Sequence, residues 1–184
     1  MPLSDVSQAV YDYFNTNIAS VPNLGVIYRS LPKVANESDL FTNSYSGLGL
    51  GAAIYMFFEQ QSERRIALGG PPPPYGGGGV KWRDYTLSLL IVFKSDLRDT
   101  IDGQIAYMEF IDGLTGIIEA NRTAGTDNAI YGGNGTATVF QWGEGGTNGG
   151  TDIQIQHYVP RTLDGGVTLF QGLARVNVCE TLTT

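Results

Sequence analysis

Cysteine, histidine and clustered positive charge are all scarce in this 184-residue chain, and each scarcity removes a class of chemistry. Cys179 is the single cysteine, so no intrachain disulfide can form and no cysteine-built metal site is available, which fits maturation in a reducing compartment. A Ser-His-Asp or Cys-His arrangement would have to use His157, the single histidine. That residue falls mid-strand in Gln154-Ile155-Gln156-His157-Tyr158, where a structural ring is the better reading. Ile155 and His157 there share one strand face, and Gln156 and Tyr158 share the other. Eleven basic against 18 acidic side chains give a net charge of -7, which disfavours unaided wrapping of nucleic acid. The densest basic spots, Arg64-Arg65 and Lys81-Trp82-Arg83, sit in or beside predicted strands and read as solvated strand faces. No stretch approaches the roughly 18 consecutive apolar residues of a membrane helix. Met1-Pro2-Leu3-Ser4-Asp5 has neither a basic nor an apolar run, so a cytosolic origin and no membrane partner are expected.

What is present is organised around residues 80–121. Val80 to Phe93 reads as a long strand that alternates through Thr86-Leu87-Ser88-Leu89 and then becomes fully apolar at Leu90-Ile91-Val92-Phe93. Asp96 is placed to cap a helix in which Leu97, Ile101, Ile105, Met108, Ile111 and Ile118 recur at helical spacing, the stripe expected to face the sheet. A first helix is predicted from a cap at Ser4 or Asp5, with Val6, Val10, Tyr13, Phe14 and Asn17 at helical spacing and an end before Pro22. Strands are predicted at Leu24 to Tyr28, Ala52 to Gln60, Glu63 to Leu68, Ala137 to Trp142, Asp152 to Val159 and Val167 to Val178. With 42% apolar residues the chain can bury one sizeable core, so residues 1–184 are read as a single α+β domain with a mixed or antiparallel sheet. Two stretches depart from that core. Residues 69–79 carry four prolines and two glycine runs, a flexible loop excursion, and residues 123–150 form a low-charge, glycine-rich hairpin region.

No catalytic set emerges. Asp96, Asp99 and Asp102 are acids near a helix start, which the helix dipole favours without any function. Glu59 or Glu180 could meet one of them as a glycosidase-like pair only if different elements converge. Gly47-Leu48-Gly49-Leu50-Gly51-Ala52 fits a loose dinucleotide fingerprint, but a strand rather than a helix is predicted to follow it. No cofactor, no metal and no enzymatic activity are therefore expected. Tyr75, Trp82, Tyr131 and Trp142 lie in or near loops, where aromatics can anchor an interface. Trp82 and Trp142 are equally readable as ordinary strand residues.

The layout resembles the tail terminator proteins of long-tailed bacteriophages and the related minor tail and neck-completion proteins. The resemblance is carried by the helix Ser4 to Asn17, the strand Gly25-Val26-Ile27-Tyr28, the strand entering through Arg83-Asp84-Tyr85-Thr86-Leu87, the helix after it, and the closing Leu173-Ala174-Arg175-Val176-Asn177-Val178. It implies a virion protein of the tail or neck, a homo-oligomeric ring, hexameric by preference. Such a ring would cap the tail tube protein, meet the head connector protein and let DNA pass without sequence-specific binding. The two glycine-rich stretches would be additions to the family's compact core. The expected subunit or partner contacts are Pro71, Pro72, Pro73, Pro74, Tyr75, Tyr131, Trp142 and Glu144. Another neck or tail-tube protein is the nearest alternative. A carbohydrate-binding module stacking sugars on Trp82, Trp142 and tyrosines is the alternative from a different class.

Overall fold

The computed structural model describes residues 3–30, 50–65, 80–96, 100–120, 140–143, 153–163 and 166–183. The first element is α1 (Leu3–Thr16), followed by a short 3-10 turn at Ile18–Ser20 and strand β1 (Leu24–Tyr28). Two 16-residue strands come next, β2 (Leu50–Arg65) and β3 (Val80–Ser95), and then the 21-residue helix α2 (Thr100–Ala120). Short strands β4 (Phe140–Trp142), β5 (Gln154–His157) and β6 (Arg161–Leu163) precede β7 (Val167–Thr183).

The sheet is mixed and runs β1-β2-β3-β7, with β4, β5 and β6 all paired along the far edge of β7. Only β1 and β2 run parallel; the other pairs are antiparallel. At the centre Ile54 faces Ile91, and Ile91 faces Gly172. Alternation along β3 sends Tyr85, Leu87, Leu89, Ile91 and Phe93 to one face, where they join Val6, Ala9, Val10 and Phe14 of α1 and Ala106, Phe110 and Leu114 of α2 in one buried cluster. Both helices thus cover the same face, which is the α+β arrangement.

Close approach is secured at three glycines, the first being Gly103, where a Cβ would come within 2.8 Å of the Ser95 Oγ. A Cβ on Gly113 would come within 2.6 Å of Pro22, and one on Gly172 within 2.6 Å of the Tyr107 hydroxyl, so α2 can settle onto its neighbours only where side chains are missing. On the opposite face a smaller cluster buries Ala53, Tyr55, Val92 and Leu169, with Tyr28 stacked on Tyr55 at 5.1 Å.

Several expectations are corrected. Ser4 and Asp5 lie inside the first turn of α1, which already begins at Leu3. The strands expected at Ala52 to Gln60 and from Glu63 are one strand. A register shift between Phe58 and Gln60 absorbs Glu59 as a bulge, and the polar Gln60-Gln61-Ser62 continues the ladder rather than breaking it. The closing strand extends beyond Val178 to Thr183, and β6 adds a strand that the sequence pattern does not reveal. Leu97, Asp99, Pro71, Pro72, Pro73, Pro74, Tyr75, Tyr131, Glu144 and most of the two glycine-rich stretches lie outside the described residues.

Candidate interaction surface

Helix α2 is apolar on two sides. Ala106, Tyr107, Phe110, Leu114 and Ile117 recur every three or four residues and are buried against the sheet. Tyr107 stacks on Phe170 at 5.3 Å, and Phe93 contacts both Tyr107 and Phe110. Ile101, Ile105 and Met108 occupy a second row at the same spacing and stand 64%, 52% and 43% exposed. Three residues of the stripe expected to face the sheet therefore face outward; of that stripe, Ile111 and Ile118 are buried. The larger aromatic side chains take the interior because they bury more area per position. With Gln104, Glu109 and Asp112, the outward row lines a groove of about 410 Å³. Full burial of an isoleucine or methionine stabilises by about 1.5–3 kcal/mol, a gain that this contiguous row forgoes in the single chain.

A second exposed apolar spot lies where β5 ends. Tyr158 and Val159 are 41% and 84% exposed. The Tyr158 amide donates to the Gln171 carbonyl at 3.0 Å, which continues the β5 register by one residue and puts the tyrosine on the face turned away from the helices. His157 points the other way, its Nδ1 3.0 Å from the Tyr107 hydroxyl.

The far ends of β2, β3 and β7 form a polar arm. Among the described residues β1 pairs with β2 only over Ala52–Tyr55, so the outer edge of β2 beyond Tyr55 has no described partner strand. Cross-strand charges line the arm: Arg83 with Glu63 at 3.1 Å, Arg64 with Asp84 at 3.3 Å, and Arg175 forked on Glu59 at 3.0 and 3.3 Å. The hydrogen bonds from Arg175 hold the Glu59 carboxyl below the usual range. Gln60, Ser62, Arg64, Asp84, Thr86 and Asn177 border a polar trough of about 330 Å³. Glu180 is fully buried on the helix-covered face, where its carboxylate accepts a hydrogen bond from Tyr85 at 2.9 Å. Burial pushes the Tyr85 hydroxyl up to about 12, and burial with Asp84 nearby pushes the Cys179 thiol up to about 12, which leaves that thiol a poor nucleophile.

These positions answer several expectations. Trp142, expected at a partner contact, is 7% exposed and packs on Tyr13 and Phe14 at 5.7 and 5.8 Å between ring centres. It is a core residue, because β4 pairs it with Val178, whose side is the helix-covered one. Trp82 has the Arg64 guanidinium 5.6 Å above its ring, so that ring face is already occupied. Neither Glu59 nor Glu180 meets the acids of the helix start. Asp96 follows Ser95 at one end of the β3–β7 ladder and Gly103, next to Asp102, packs at Ser95, whereas Glu180 pairs at Arg83 and Glu59 sits beside Thr86, far along β3. Asp99 lies outside the described residues. Gly51 and Ala52 lie within β2, so a strand follows the dinucleotide-like pattern. Among the described residues no group of three or more His, Cys, Asp or Glu could hold a metal ion, and no helix is long and apolar enough to cross a membrane. Neither a protein-family model nor a curated protein matches this chain.

The exposed row on α2 and the Tyr158–Val159 corner were not separable from core by sequence reasoning. A signal for the row does exist. Ile101, Ile105 and Met108 compete with Tyr107, Phe110 and Leu114 for one helix, and only one set can face the sheet.

Proposed function

We propose that this chain is a structural subunit of a bacteriophage tail, a terminator that assembles into a ring, caps the tail tube and meets the head connector. The observation that carries the reading is the outward row Ile101, Ile105 and Met108 on the central helix. A helix apolar on two opposed sides fits a protein whose second side is buried by assembly. The order of elements, with a first helix, a short strand, long antiparallel strands flanking a central helix and a long closing strand, agrees with the resemblance noted above. The acidic balance of -7 suits a ring through which DNA passes, since like charge limits sticking of the duplex. Of the platforms that the carbohydrate-module alternative would use, Trp142 is buried.

Immunogold labelling of phage particles that carry this gene, with antibody raised against the purified chain, tests the role. Label confined to the junction of head and tail is the expected result. Label along the tube would assign a tube subunit instead, and unlabelled particles would remove the protein from the virion.

A further inference from the structure

The structure exposes large apolar side chains in two places, the α2 row and the corner at Tyr158 and Val159, and these differ in charge. The groove along α2 is edged by Glu109 and Asp112, with Asp102 one residue from Ile101. Residues 153–163 carry His157 and Arg161 and no carboxylate. The two places also face different ways. Helix α2 covers the face of Ile91 and Ala174, whereas the β5 register turns Tyr158 to the face of Gln171 and Arg175.

We propose that the Ile101–Ile105–Met108 row of one subunit receives the Tyr158–Val159 corner of a second copy, in a head-to-tail contact. This rests on the homo-oligomeric reading above and names its contact surfaces. Pairing row with row would set one acid-edged groove against another, a like-charge contact that costs free energy; pairing row with corner sets those acids beside a segment with no carboxylate of its own. Because the two surfaces differ and point apart, each subunit offers one of each, and the contact propagates from copy to copy until a rotation closes it. A closed ring then leaves neither surface in water.

The test is a charge exchange read by sedimentation velocity across a concentration series, with far-UV circular dichroism confirming that each exposed-site variant is folded. Ile105→Lys and Val159→Glu should each weaken association by about 30-fold, the effect of losing one interface anchor of about 2 kcal/mol. The double variant carries both changes on every chain, so each contact pairs a lysine with a glutamate. It should return to within about tenfold of the unaltered protein. A loss with Ile105→Lys but not with Val159→Glu would overturn the proposal in favour of another occupant of the row. A double variant no better than the singles, or two singles that associate like the unaltered protein, would overturn it while leaving the oligomer intact. An unaltered protein that stays monomeric at every concentration would remove the oligomeric reading itself.

Discussion

The same three long strands, β2, β3 and β7, pass through two environments. In one half, from Ala52 to Phe58 and from Tyr85 to Phe93, alternate side chains enter a core covered by both helices. In the other half, from Gln60 to Arg65, the β2 residues whose burial is described are exposed, and the contacts across the ladder are ion pairs such as Arg83 with Glu63. The β3–β7 ladder is continuous across the boundary and the β2–β3 ladder resumes directly after the bulge at Glu59, so both halves are paired by backbone hydrogen bonds. What differs is the source of stability. Burial supplies about 25 cal/mol per Å² of apolar surface in the first half, whereas an exposed ion pair supplies under about 1 kcal/mol. The polar half is therefore held in strand form by the apolar half, and its surface is available for contact.

Mutation can break or sharpen that contrast. The largest effect belongs to the covered half. Phe110→Ala should cost about 3–5 kcal/mol by urea unfolding, because the fully buried ring contacts Phe93 and leaves a cavity under α2. Glu180→Ala comes next, at about 1–3 kcal/mol, since it removes the buried acceptor of the Tyr85 hydroxyl where the covered face enters the arm.

Alkaline pH should then lower stability in a defined window. Burial pushes Tyr13, Tyr85 and Tyr107 up to about 12 from 10.0, and Cys179 up to about 12 from 9.0. A folded state that holds these protons longer than the unfolded chain is fully favoured below pH 9 and loses that advantage as pH rises toward 12. Absorbance of tyrosinate should show a late-titrating group of tyrosines. A single tyrosine transition near 10 in the folded protein would contradict this.

The smallest effect belongs to the arm. Glu63→Ala should cost less than about 1 kcal/mol, and the difference should shrink further in added salt. A cost approaching that of Phe110→Ala would mean that the arm is a stabilising element in its own right.

The fold class was legible because the strongest signals were long and consistent. Val80 to Phe93 passes from alternating to fully apolar, and the structure makes it a central strand whose last residues are largely buried on both faces. Val6, Val10 and Phe14 fall on the buried side of α1 as their spacing predicts. The bulge at Glu59 was not legible, because one inserted residue shifts the period-two pattern and makes a continuous strand resemble two. The outward row on α2 was legible least. Periodicity reports that a helix has an apolar side, and α2 has two, so Ile101, Ile105 and Met108 pass for core until Tyr107 and Phe110 are seen against the sheet. Trp142 was open to two readings for a related reason: a tryptophan beside a glycine-rich stretch has the same sequence context whether it faces a partner or, as here, packs on Tyr13 and Phe14.

The central claim is that the second apolar side of α2 exists for assembly. Native mass spectrometry of the purified chain tests it most directly. A single closed species, one integral multiple of the 19.8 kDa subunit that stops growing as concentration rises, is the predicted result. A monomer at every concentration would contradict it, and an open series of ever longer polymers would keep assembly but contradict the closed ring.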